Sequence, residues 1–209
     1  MRPLHLRPGA DGLGRALLGR ALLGRALGDE RAAQIVEFAL SMPLLMLFVV
    51  GIFDFSGALS LKQKLTNAAR DAARVAAADP ATDLGSSTLP ASVSDAWQAA
   101  ANYLKSENLN DCGLGPVGGV GGVTPTKTTG LTWVSTSIGS CPGTGITLTI
   151  NRGCVTPATL GATTTDLIDT CVTLQYAYKW RFTSVSSLVG GSFIPPSSIT
   201  TTATAFNEN

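Results

Sequence analysis

One carboxylate stands inside a long apolar run. Glu37 is the only charged residue of Ile35–Phe53, the stretch IVEFALSMPLLMLFVVGIF. A carboxylate in hydrocarbon is costly, and by default it marks a functional position. The plainer alternative puts Glu37 at the headgroup level near Arg31, where it only marks the membrane boundary. A second group of reactive side chains is Cys112, Cys141, Cys154 and Cys171, all in the C-terminal half. They show no C-x-x-C spacing and no histidine neighbour, which argues against zinc. An even count confined to one part of the chain favours disulfides. Four cysteines allow three connectivities. The expected one is Cys112–Cys141 with Cys154–Cys171, because both bridges close short loops and the second joins two strand ends.

Other chemistry is thin. The single histidine, His5, lies near the N-terminus with no nucleophile beside it, so no Ser-His-Asp arrangement is available. Asp166 and Asp169 are three apart in a Thr-rich stretch and read as a solvated turn rather than an acid/base pair. Gly113-Leu114-Gly115-Pro116-Val117-Gly118 formally satisfies G-x-G-x-x-G. More Gly and Val follow, then Thr and Pro, where a dinucleotide site requires a helix N-terminus. It reads as a loop. No catalytic residue, cofactor site or metal site is expected, and the chain does not read as an enzyme. Fifteen Lys and Arg against fourteen Asp and Glu give a net +1. That balance lacks the basic excess a nucleic-acid partner needs.

The elements that hold these residues follow from charge and periodicity. In residues 1–31 six arginines face three carboxylates, a net +3, while residues 80–209 carry five basic and seven acidic groups, a net −2. Between them the 19-residue apolar run would span roughly 28 Å as a helix, close to the thickness of a bilayer core. The chain is too small to bury such a helix on every side. A transmembrane helix is therefore expected, with the arginine-rich end inside and the cysteine-bearing part outside. A cleaved secretory signal is the nearest competitor. It would have a shorter apolar core and a small-residue exit site. The pentapeptide repeat Gly14–Leu18, Gly19–Leu23, Gly24–Gly28 fits no regular period and reads as a low-complexity leader; a basic segment on the membrane surface is the other option.

Beyond the run, Leu61, Leu65, Ala69, Ala72 and Ala76 recur at helical spacing, with Gln63, Asn67, Arg70 and Arg74 on another face. One continuous helix of roughly 45 residues is expected to end at Asp79-Pro80. Ser92-Val93-Ser94-Asp95 resembles a capping box for a second helix over 93–107. A Gly-rich loop spans 113–122. Thr, Val, Ile and aromatic residues then suggest strands at 131–138, 146–151, 171–182 and 199–206. The expected fold class is α+β: a long N-terminal helix, half transmembrane and half amphipathic, packed on an extracytoplasmic antiparallel-sheet domain with a second short helix. The expected organisation is a leader over 1–32, the helix over 33–79 and an extracytoplasmic domain over 80–209.

Several stretches resemble the TadE-like family, pseudopilins of the Tad (Flp) pilus and secretion systems. They are Arg31–Leu40 with its Glu37-Phe38-Ala39, then Pro43-Leu44-Leu45, Gly51–Phe55, and Leu65–Arg74 with its Asn67-Ala68-Ala69-Arg70. The Val172–Phe182 strand, the Gly190-Gly191 loop and the Ile199–Phe206 strand resemble the family's closing β-pair. The resemblance implies a single-pass subunit of the bacterial cytoplasmic membrane that assembles with other Tad pilus-system proteins. It also implies cleavage by a prepilin peptidase. Glu37 would be the fifth residue of the mature chain, which places the cut between Ala32 and Ala33, where the family usually has Gly before the cut. The freed amine of Ala33 in a neighbouring subunit would then match Glu37. The runner-up function is a membrane-tethered extracytoplasmic binding or sensing module that uses the helix only as an anchor, with a tethered enzyme third.

Overall fold

The computed structural model describes residues 30–116, 122–139, 141, 143–160, 163–181 and 196–208. The pentapeptide repeat, His5, Phe182, the Gly190-Gly191 loop and residues 117–121 of the Gly-rich loop lie outside the described residues. The elements run α1 (Glu30–Ala78), α2 (Ala91–Ser106), β1 (Thr126–Lys127), β2 (Thr132–Ser137), β3 (Ile146–Leu160), β4 (Thr163–Ala177) and β5 (Ser198–Phe206). The fold is α+β, as the residue pattern predicts: a long N-terminal apolar helix, a short second helix and a five-stranded antiparallel sheet.

Two compact units divide the chain, residues 1–50 and 51–209. The second contains the core. Strands β1 to β5 pair in sequence order, each antiparallel to the next. The register sets Leu148 opposite Leu174, Ile150 opposite Val172, and Val172 opposite Ala203. These side chains fall on one face by the two-residue period of a strand and are buried. The intervening residues are largely threonines that bond across strands, Thr136 to Thr147 (3.2 Å) and Thr173 to Thr202 (2.8 Å). That face is wet, as an antiparallel sheet allows.

The buried face meets Leu61, Leu65, Ala68, Ala69, Ala72, Ala73 and Ala76 of α1 and Val93, Ala96, Trp97, Ala100 and Leu104 of α2. Alanines at helical spacing leave little side chain between backbones, so the two helices and the sheet close into one core. Trp97 is satisfied within it, its indole N–H donating to the Leu114 carbonyl at 2.8 Å.

Three local expectations are corrected. Ser92–Asp95 is not a capping box. Pro90 is the N-cap residue of α2 and makes no side-chain cap bond. Asp83, from the preceding loop, instead accepts the Ala91 N–H at 2.6 Å. A proline pre-set in extended backbone starts the helix earlier than the serine pattern suggests. Second, β3 and β4 each run for 15 residues, so the expected turn around Asp166 and Asp169 is part of a long hairpin. The register slips between Asn151 and Cys154, and the ladder then continues to Leu160 opposite Thr163. Thr-rich alternation satisfies its backbone by cross-strand pairing where composition alone suggests a loop. Asp166 is exposed on this hairpin while Asp169 is buried. Third, β4 ends at Ala177, before the Lys179–Arg181 segment that the residue pattern places in a strand.

Candidate functional site

The candidate site is the apolar helix and the polar contacts that follow it. Pro43 lies inside α1. Its 18-residue apolar window has mean hydropathy 2.3, and none of the window is buried. Ile35, Phe38, Leu40, Leu45, Met46, Phe48 and Phe53 are each more than 60% exposed, on every side of the helix. A core helix of a soluble protein buries such residues, so this length and exposure fit a hydrocarbon surrounding. Ala32 and Ala33 lie within α1, and Ala33 and Glu37 are exposed. Among the described residues no side chain pairs with Glu37.

Residues 32–74 match the model of the TadE-like protein family. No curated protein and no solved structure matches the chain. The TadE-like stretch covers about a fifth of the chain. Its second half shows how the Asn-Ala-Ala-Arg pattern is used. Ala68, Ala69, Ala72 and Ala73 are fully buried in the core, whereas Asn67, Arg70 and Arg74 face outward. The small residues are the packing face, and the polar ones are left for solvent or a partner.

Asp54, the first residue after the apolar run, is 5% exposed. One carboxylate oxygen accepts the Tyr178 hydroxyl at 3.1 Å and the other accepts the Arg181 backbone N–H at 2.8 Å. The acid in the TadE-like pattern therefore ties the chain beyond β4 to the helix. At Gly57, one turn on, a Cβ would lie 3.0 Å from the Tyr178 oxygen, so a side chain there would press on this contact. Burial pushes the Tyr178 phenol above its usual range, and the hydrogen bond and charge of Asp54 push it further, against a smaller pull from Arg181. A phenol raised on folding contributes stability that is complete below the unfolded tyrosine value of about 10 and is lost as pH rises through the folded value. Asp54→Asn should therefore lower the Tyr178 titration midpoint toward the ordinary value. Tyrosinate absorbance, with Tyr178→Phe as the subtracted reference, measures it; an unmoved midpoint would show that the Asp54 charge does not govern this contact.

The four cysteines form Cys112–Cys141 and Cys154–Cys171, with Cα separations of 5.3 and 6.0 Å. Neither bridge leaves a thiolate to bind a metal. The first sits in the core, where Cys112 is fully buried and its carbonyl accepts the Ser137 hydroxyl at 2.6 Å. Gly139 must lack a side chain there, because a Cβ would fall 1.9 Å from the Cys112 carbonyl oxygen. The second bridge ties β3 to β4 across the register slip.

Arg152 carries a role that its sequence context does not announce. It lies at that slip and is 1% exposed. It donates to the carbonyls of Ala76 and Asp79 (the latter at 2.9 Å), to Thr170 Oγ1 at 2.7 Å and to Asn207 Oδ1 at 3.1 Å. Burial lowers the guanidinium from its usual value, and Asp79 and Asp83 work against that. The only sequence signal is a lone arginine in an apolar strand next to glycine, which does not name its partners.

Proposed function

We propose that this chain is a TadE-like minor pilin or pseudopilin, a membrane-anchored structural subunit of a Tad/Flp type IV-like pilus or secretion system. The observation that carries the reading is the uncovered apolar helix with a single carboxylate, inside the segment that matches the TadE-like family. In this reading residues 1–32 are a cytoplasmic leader, 33–79 the membrane and amphipathic helix, and 80–209 an extracytoplasmic domain of the bacterial cytoplasmic membrane. The net +3 of the leader supports that orientation. A prepilin peptidase cuts between Ala32 and Ala33, and the new amine matches Glu37 of a neighbour. The partners are the lipid bilayer and other Tad pilus-system membrane proteins.

Glu37→Ala tests the reading. In a simple anchor, removing a carboxylate that costs up to about 3 kcal/mol at mid-membrane leaves insertion unchanged or improves it, with no other consequence. In a subunit, it strands the cation of a poorly solvated pair at a cost of about 3–5 kcal/mol, which should abolish assembly. The measurement is pilus formation, or co-purification with other pilus-system components, at matched membrane levels of wild type and variant. Unchanged assembly would reject the subunit mechanism and leave a tethered binding or sensing module.

A further inference from the structure

The charges of residues 80–209 are distributed unevenly. Lys105 pairs with Asp111 at 3.3 Å and also reaches the Pro116 carbonyl. Lys127 lies over the Trp133 ring and donates to the Leu84 carbonyl. Arg152 is buried. The remaining two cations, Lys179 and Arg181, are exposed, and among the described residues neither side chain has an anionic partner. Both lie in the four-residue segment Tyr178-Lys179-Trp180-Arg181, immediately after β4.

This segment is held at one level of the helix. The Arg181 N–H and the Tyr178 hydroxyl are bonded to Asp54, the residue that directly follows the apolar run. Trp180 is fixed as well: its ring meets Tyr178 edge-on at 4.9 Å between centroids, and its indole N–H donates to the Pro196 carbonyl at 2.6 Å. On α1 at the same level, Phe55 and Leu59 are 60% and 49% exposed, and the first cation after the run is Lys62. From Asp54 to Lys62 the helix rises about 12 Å. The headgroup layer on each side of a bilayer is roughly 5–8 Å thick. If Ile35–Phe53 crosses the hydrocarbon, Asp54 and what it holds fall within that layer.

We propose that Lys179 and Arg181, with Trp180 between them, form a site for anionic lipid headgroups that sets this domain against the membrane surface. The inference rests on the reading of Ile35–Phe53 as a membrane span. The chemistry suits it. A guanidinium takes a phosphate through paired N–H donors. Lysine adds a long stem with a charged tip. Tryptophan and tyrosine are favoured where apolar and polar layers meet.

The test uses the full chain reconstituted into phosphatidylcholine–phosphatidylglycerol vesicles, with bromine at the top of the acyl chain of one lipid or the other. Trp97 and Trp133 are buried in the core, so subtracting Trp180→Phe isolates the Trp180 signal. Bromine on phosphatidylglycerol should quench Trp180 more strongly than bromine on phosphatidylcholine, with a preference of about fivefold per cation. The double variant Lys179→Glu, Arg181→Glu should abolish the preference. It leaves the Asp54 bond in place, because Arg181 donates through its backbone. High salt should weaken the preference in the unmodified chain, which keeps the test decisive if the variant misfolds. Equal quenching by the two labelled lipids, or none, in protein that resists alkaline extraction would overturn the headgroup site and leave the span intact. Extraction by alkali would overturn the span and the site together.

Discussion

Arg152→Met is expected to destabilise residues 51–209 by about 3 kcal/mol, lowering the thermal midpoint by roughly 10 °C. The last carbonyls of a helix have no partner within it, and Arg152 supplies one for Ala76 and Asp79 at the end of α1. A cation there also opposes the negative end of the helix dipole. The same guanidinium holds Thr170 of β4 and Asn207 beyond β5. Two effects compete in the variant. Methionine removes the cost of burying a charge, which is the cause of the lowered Arg152 pKa, and keeps the apolar stem. Against this, it strands the Ala76 carbonyl in the last turn of α1 and the Asp79 carbonyl just beyond it, and leaves Asp79 and Asp83 without their cation. Buried unsatisfied groups cost about 1–3 kcal/mol each, so the loss outweighs the relief. Arg152→Lys should recover only part of it, since a single ammonium cannot span acceptors on the helix end, β4 and the C-terminal segment. Unfolding followed by near-ultraviolet circular dichroism in detergent measures both. A methionine variant within about 1 kcal/mol of the wild type would remove Arg152 from the role assigned to it.

Reducing both disulfides should cost about as much again per bridge. Cys112–Cys141 and Cys154–Cys171 close loops of 29 and 17 residues. Restricting the unfolded chain over such loops contributes roughly 3 kcal/mol each. Together that is comparable with the whole stability of many domains, about 5–15 kcal/mol. The two bridges should not be equal. Cys112 is fully buried beside Ser137, so paired Cys112→Ser and Cys141→Ser substitutions also disturb core packing. The Cys154–Cys171 pair sits at the base of the long hairpin, and its loss should loosen the hairpin before the core. Denaturant midpoints with and without reductant, and for each pair of serine variants, give the comparison. Identical midpoints in oxidised and reduced protein would contradict it.

Features written within a short window of residues are legible in the sequence. The exposure of Phe38 and Phe48 follows from an apolar run too long and too uniform for a small core. The burial of Leu61, Leu65, Ala69, Ala72 and Ala76 follows from helical spacing. The long hairpin and the start of α2 are obscured for local reasons: threonine is at home in both turns and strands, and a serine pattern competes with a proline that begins a helix as well.

By itself the sequence determined the apolar span and its lone Glu37, the amphipathic continuation of α1, the α+β class and the confinement of all four cysteines to the C-terminal half. Only the tertiary structure decided what the charged and polar residues do. Arg152 reaches carbonyls 76 and 73 residues away, and Asp54 takes an N–H 127 residues away. The physical reason is the range of the two kinds of information. Hydrophobic periodicity is repeated by many residues along one element and survives in any short window. A buried hydrogen bond is made by one side chain to one acceptor, and its cost or benefit exists only once folding has removed the water between them.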